Sequence, residues 1–170
     1  MSEVNDRVAQ IQAEWARERP ELDTSPMGVI GRLHRLASFL REELVALYAR
    51  HGLGEGDFDV LAALRRAGAP FERAPKDLAA HTMVTTGAMT KRIDRLEAAG
   101  LVDRRASEVD GRGRVVALTA RGLEVIDAAF AEHLDNERRL LAALSEAEAE
   151  QLQALLATWL RSFEGAPAER

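Results

Sequence analysis

Along most of the chain the apolar residues return every third or fourth position, the spacing of a helix with one buried face, and one stretch alone departs from it. Val4, Val8, Ile11 and Trp15 form the first stripe, which Pro20 should close. A second helix is expected from Ser25-Pro26, a capping residue followed by a proline at the first helical position, to about His51. It carries Ile30, Leu33, Ala37, Leu40, Leu44 and Leu47 at alternating steps of three and four, a seam of the coiled-coil kind. Gly52, Gly54 and Gly56 interrupt it, and a third helix from about Asp57 to Ala67 should bury Phe58, Leu61 and Leu64. Pro75 opens a shorter helix through His81. Beyond it the segment TTGAMTKRIDRLEAAG starts at Thr85 as N-cap, buries Met89, Ile93 and Leu96, and ends at Gly100.

The departure follows directly. LVDRRASEVDGRGRVVALT has apolar and β-branched flanks around a charged, glycine-containing tip, which predicts a β-hairpin with strands near Leu101 to Ala106 and Arg114 to Leu118. Helical spacing then resumes. Thr119 caps a long helix with Leu123, Ile126, Phe130 and Leu134. A last helix begins at the Ser145/Glu148 capping box and should bury Leu152, Leu155, Leu156, Trp159 and Phe163. The expected fold is mainly α with a small β-hairpin wing. Two short helices joined tightly and followed by a hairpin make a winged helix-turn-helix.

The helix behind Thr85 has a second face to explain. Thr86, Gly87, Thr90, Lys91 and Arg95 lie around the cylinder from its apolar stripe. The B-DNA major groove, about 12 Å wide, admits one helix whose leading side chains reach base edges while amides and cations hold phosphates. Thr85, Thr86, Gly87, Thr90, Lys91 and Arg95 suit that task, Gly87 by letting backbone approach closely. Arg112 and Arg114 on the hairpin suit a minor groove or its phosphates. For the helix alone a merely solvated face is the better explanation; the two arginines of the hairpin reverse that preference in favour of double-stranded DNA.

Composition changes this picture little. The chain has 170 residues, 46% apolar and 30% charged, enough for one core with helical extensions. Its net charge of −5 opposes nucleic acid only on average, because residues 65–114 hold 11 Lys/Arg against 7 Asp/Glu. The absence of cysteine removes disulfides, thiolate zinc sites and thiol redox switches. No apolar run approaches a membrane span and no signal peptide leads the chain, so a cytoplasmic protein is expected. His34, His51, His81 and His133 are scattered without a ligand pattern, and there is no nucleophile motif, phosphate loop or dinucleotide fingerprint. Neither a metal, a cofactor nor an enzymatic activity is expected.

LAAHTMVTTGAMTKRIDRLEAAGLVDRR followed by DGRGRVVALTARG resembles the MarR family of winged-helix transcription regulators. The carriers are RLEAAGLV and the wing signature D-x-R…LT-x-x-G, here Asp110, Arg112, Leu118, Thr119 and Gly122, and the likeness in organisation covers residues 27–160. The resemblance implies a homodimer on a pseudo-palindromic operator. It assigns residues 52–119 to the DNA-binding lobe, and 1–51 with 120–170 to a helical dimerisation region, within one intertwined domain. IQAEWARERPELDTSPMGVIGRLHRL is similar to the urate-responsive subgroup with an added first helix. That likeness implies a small anionic aromatic effector such as urate or xanthine, sensed by Trp15, Asp59, Arg66 and Arg92, with Arg104 a further candidate.

These residues make physical sense together. Asp59, Ala62, Ala63 and Arg66 share a helix face, a small-residue floor between opposite charges. A planar anion could stack on Trp15 and meet the Arg66 fork. Arg92 borders the buried stripe of the recognition helix, where a change of partner would tilt it. Singly, each has a plainer explanation as an anchor or a surface ion pair. A phenol- or drug-responsive regulator, a ligand-independent winged-helix protein and a helical interaction module are the other readings.

Overall fold

The computed structural model describes residues 6–82, 86–106 and 113–164. Val4, Thr85, Asp110 and Arg112 lie outside the described residues, as does the side chain of Thr86. The elements run α1 (Arg7–Glu18), α2 (Met27–Arg50), α3 (Glu55–Arg65), β1 (Glu72–Arg73), α4 (Pro75–His81), α5 (Thr86–Ala98), β2 (Val102–Ala106), β3 (Arg114–Leu118), α6 (Ala120–Leu141) and α7 (Glu146–Glu164). This is the mainly helical, winged helix-turn-helix architecture that the periodicities predict.

The core lies where α3, α5, α6, the end of α2 and the sheet meet. Leu47, Tyr48, Phe58, Leu61, Leu64, Leu78, Met89, Ile93, Leu96, Val102, Val116 and Ile126 are all buried there. The strands form one antiparallel sheet in the order β1-β3-β2, with Val102 opposite Leu118 and Ala106 opposite Arg114 in the hairpin. β1 is unforeseen. It pairs Glu72 with Ala117 and Arg73 with Val116, and is too short to show any period. The Leu118 N–H donates to the Phe71 carbonyl at 3.1 Å, which pins its start.

Several boundaries have local causes. The third helix begins at Glu55, two residues before its expected start, because the Asp57 carboxylate accepts from the Gly54 N–H at 2.9 Å and completes the first turn. Ser25 does not cap α2; its hydroxyl bonds Asp23 instead, and Pro26 takes the flanking position. Two caps form as read: Thr119 accepts from the Gly122 N–H, and Ser145 exchanges bonds with Glu148.

Burial differs from expectation on the outer helices. Within one chain α7 buries none of its residues, and Leu152, Leu155, Leu156, Trp159 and Phe163 stay exposed. Of the α2 seam, Leu47 is buried and Leu44 is partly so, while Ile30 and Leu40 face solvent. An amphipathic stripe identifies an apolar face without saying what covers it.

Candidate nucleic-acid interface and sensor face

On α5 the two faces separate cleanly. Met89, Ile93 and Leu96 are buried, whereas Gly87, Thr90 and Lys91 are exposed. A Cβ placed on Gly87 would meet no atom within 4 Å, so that surface is open to an approaching partner. Arg114 is exposed at the first position of β3, opposite Ala106. Thr86 begins α5.

The arginines of this region are arranged differently from one another. Arg95 reaches back to α3 and grips Asp57, its Nε 3.1 Å from both carboxylate oxygens and its Nη2 2.5 Å from Oδ1. Arg92 lies over the first turn of α3, so close that a Cβ on Gly56 would fall 2.2 Å from the guanidinium carbon. Arg104 does not turn towards α3. It joins β2 to α5 by ion pairs with Asp94 and Glu97, and its backbone N–H donates to Glu97 at 3.3 Å. Among the cations expected on the DNA face, Lys91 and Arg114 are exposed, and Arg95 is tied by Asp57.

Asp59 sits on the same turn of α3 as these contacts. Protein packed around its carboxyl raises it above the usual carboxylate range, against the pull of Arg92 and, more weakly, of Arg66 and His133; Glu55 adds to the rise. Arg66 follows the last turn of α3, its N–H donating to the Ala62 carbonyl at 3.0 Å. With Ala62, Arg65, Ile126, Asp127 and Phe130 it lines a cleft of about 310 Å³ between α3 and α6. That lies at the small end of ligand pockets, roughly 300–1,000 Å³. Ala63, expected on this floor, is instead fully buried in the core.

Trp15 is 47% exposed on α1. That helix packs along α2, held by Val8 against Gly31, by the Arg32–Asp6 pair at 2.7 Å and by Gln12 donating to the Thr24 carbonyl at 2.8 Å. The cleft beside Arg66 is lined from α3 and α6. Asp59, Arg66 and Arg92 are therefore electrostatic neighbours, and Trp15 stands on a different helix.

Two features escaped the sequence. Asp57 is buried at 4% exposure and joins α3 to α5. An acid three positions past a glycine hints at a cap, but its second partner is invisible without the fold. Behind the cleft, Tyr48 stacks on Phe58 with ring centres 4.1 Å apart, and its hydroxyl bonds His133 Nδ1 at 3.1 Å. Burial, and then the nearby Asp59, raises the Tyr48 phenol well above its ordinary value. Among the described residues no cluster of His, Asp and Glu is arranged to hold a metal ion, and no helix is long and apolar enough to cross a membrane.

A sequence model described as the MarR family matches residues 51–113. The chain is 39% identical over 149 residues to the HTH-type transcriptional regulator PecS of Dickeya dadantii, covering 88% of this chain and 90% of that protein. It is 32% identical over 134 residues to the HTH-type transcriptional repressor Rv2887 of Mycobacterium tuberculosis, covering 79% and 93%. Rv2887 has been solved with p-aminosalicylic acid (TM-score 0.60, 30% identity, 77% of this chain and 97% of that one). It has also been solved with DNA (TM-score 0.63, 27% identity, 77% and 96%). AbsC of Streptomyces coelicolor, a MarR family transcriptional regulator, superposes with a TM-score of 0.73 at 26% identity over 85% of this chain and 99% of its own.

Proposed function

Because this chain belongs to the MarR family of winged-helix, DNA-binding transcription regulators, we propose that it works in the cytoplasm as a homodimeric repressor, released from a pseudo-palindromic operator by a small anionic aromatic ligand of the urate or xanthine kind. The observation that carries the DNA part is the exposed Gly87/Thr90/Lys91 face above the buried Met89/Ile93/Leu96 stripe. Thr85 and Thr86 are the further residues proposed for base edges, and Arg112 and Arg114 those proposed for the wing contacts. Arg95 lies at its margin.

The dimer is supported by apolar surface that one chain leaves open. Leu33, Leu141, Leu152, Leu156, Trp159, Leu160 and Phe163 border a groove of about 830 Å³ along α7, and contiguous patches of this kind mark association sites. A second copy related by a two-fold axis covers it and sets two α5 helices one turn of DNA apart, about 34 Å. Residues 1–51 and 120–170 then form the dimerisation region around two lobes of residues 52–119.

Ligand sensing is supported by the charges around α3. Arg66 at the mouth of the cleft offers a fork to an anion, and Asp59 between Arg92 and Arg66 accepts from ring N–H groups or is repelled by the ligand. Trp15 contributes a stacking surface across the dimer region. Arg92, seated on Gly56, passes the change to α5. Arg104 acts from the far side of α5 through Asp94 and Glu97. A phenolic carboxylate is the second reading, favoured by the solved complex of the Rv2887 relative with p-aminosalicylic acid.

A mobility-shift titration on the DNA flanking the gene tests the whole scheme. Affinity should fall steeply as salt rises, and urate, xanthine or a salicylate should weaken binding roughly 5- to 150-fold, a coupling of about 1–3 kcal/mol. Absence of binding at low salt defeats the DNA reading. A ligand response left intact by Trp15→Phe and Arg66→Ala misplaces the sensor.

A further inference from the structure

We infer that Asp57 is a positioning residue for operator recognition: through Arg95 it fixes the rotation of the recognition helix α5, and Arg95 serves that grip in place of a phosphate contact. The inference rests on the proposed DNA-binding role and concerns which residues set the aim of the reading face.

Two kinds of contact hold α5. Met89, Ile93 and Leu96 bind it to the core through apolar burial, a force that is itself non-directional. Direction comes from hydrogen bonds. Arg95 meets both oxygens of Asp57 in the two-pronged geometry that guanidinium and carboxylate share. Asp57 in turn cannot drift, because Oδ2 accepts from the Gly54 N–H at 2.9 Å and its carboxylate is buried. Three positions before Arg95 on the same helix, Arg92 fills the space over Gly56. Both arginines therefore seat on the first turn of α3.

Across α5, Arg104 secures Asp94 and Glu97 to strand β2. The helix is held from two sides, and its exposed face of Gly87, Thr90 and Lys91 points between them. A turn of α5 about its axis would keep the apolar stripe partly buried but would carry Thr90 and Lys91 off the groove. Loss of the Asp57 grip permits that turn. Arg95 keeps a side chain that is 58% exposed, so replacing it leaves no cavity in the core.

The test compares the full-length wild type with Asp57→Asn, Arg95→Gln, Arg95→Lys and the Asp57→Asn/Arg95→Gln pair by fluorescence anisotropy. Each is titrated on operator and on an unrelated duplex, from roughly 50 to 200 mM salt, with thermal melts to establish that it is folded. Each single variant should lose about tenfold in operator affinity, the scale of one base contact, with little loss on the unrelated duplex. The pair should lose no more than either single variant, since both remove one interaction. The salt slope should stay at the wild-type value. Arg95→Lys keeps the charge and loses the two-pronged grip, so it should weaken as Arg95→Gln does, and it carries the test if Asp57→Asn fails to fold.

Wild-type operator affinity in Asp57→Asn or Arg95→Lys overturns the inference. So does a salt slope lowered by about 0.9 in Arg95→Gln, the mark of one lost phosphate contact, or losses that multiply in the pair. A wild type that binds no duplex removes the DNA reading and this inference together. Binding by the wild type with unchanged variants removes the inference alone.

Discussion

Gly122→Ala is the substitution whose cost the structure defines most sharply. Gly122 is the third residue of α6, and its N–H donates to Thr119 Oγ1 at 2.9 Å. A Cβ there would lie 1.9 Å from the Leu101 carbonyl oxygen and 2.9 Å from its carbon, far inside any carbon–oxygen contact. The carbonyl cannot swing away, because it accepts from the Thr119 N–H at 3.1 Å while the Leu101 N–H is held by the Leu96 carbonyl at 2.9 Å. The Thr119 hydroxyl also donates to the Gly100 carbonyl at 2.8 Å, tying the start of α6 to the end of α5. Relief therefore requires α6 to move, and α6 carries Ile126 and Ala129 into the core. Overpacking of this kind costs about 1–3 kcal/mol, and more where backbone is the obstacle. Alanine recovers at most about 1 kcal/mol of helix propensity. A net loss near 2 kcal/mol should lower the melting temperature by about 4–8 °C in a chain this size. Urea unfolding at fixed protein concentration should show a reduced midpoint with an unchanged slope. Gly113→Ala, where a Cβ meets nothing within 4 Å, serves as control, with an effect within about 0.5 kcal/mol. A Gly122→Ala midpoint equal to or above wild type would refute the close approach.

Three further outcomes are expected. An added Cβ at Gly87 meets nothing within 4 Å among the described residues, so the thermal melt of Gly87→Ala should hold or rise by a few degrees while operator affinity falls; unchanged affinity would move the DNA backbone away from that residue. Leu160→Asp with Phe163→Asp, at positions 55% and 69% exposed in one chain, should convert a sedimenting dimer to monomer with a retained helical circular-dichroism spectrum, and a wild type that already sediments as monomer contradicts the proposed interface. The Asp59 carboxyl stands above the usual carboxylate range, so its ionised form opposes folding: the penalty is present at neutral pH and absent below the ordinary carboxylate pKa. Asp59→Asn should therefore raise the melting temperature near pH 7 and not at pH 3, and an equal effect at both fails the reasoning.

The helices, the hairpin and the caps at Thr119 and Ser145 were legible because each rests on interactions within a few residues of chain. β1 was not, since two residues carry no period and Phe71 before it holds φ at 59°, a left-handed conformation a bulky side chain rarely advertises. The stripe on α7 was legible as apolar and misleading as core, because periodicity reports one surface and burial needs two. The two faces of α5 could be read from spacing. The destinations of its arginines could not: long side chains choose among neighbours brought by other elements. Arg95 found Asp57, Arg92 found Gly56, and Arg104 found Asp94 and Glu97. Ala63 shows the same limit on a smaller scale, sharing a face with Asp59 by arithmetic yet falling on the buried side of it.

What the placements of Arg92, Arg95 and Arg66 have in common is α3. Its first turn receives Arg92 and Arg95 from α5, its middle buries Phe58, Leu61 and Leu64, and its end presents Arg66 to the cleft against α6. A helix of 11 residues, closed at its start by the Asp57 carboxylate and packed along one side, shifts as a unit because a close-packed core transmits strain more readily than it absorbs it. In the proposed scheme a ligand that enters the cleft beside Arg66, or draws Asp59 away from Arg92, therefore acts on the seat of the recognition helix without touching that helix. The displacement needed is small. In that scheme Thr90 and Lys91 would read a groove from which a modest rotation removes them, and the grip proposed to resist such rotation is anchored on the same element the ligand would move. Relief of repression is the sign that the proposed scheme expects: α3 holds α5 through Arg92 and Arg95, and a ligand that moves α3 would loosen that hold.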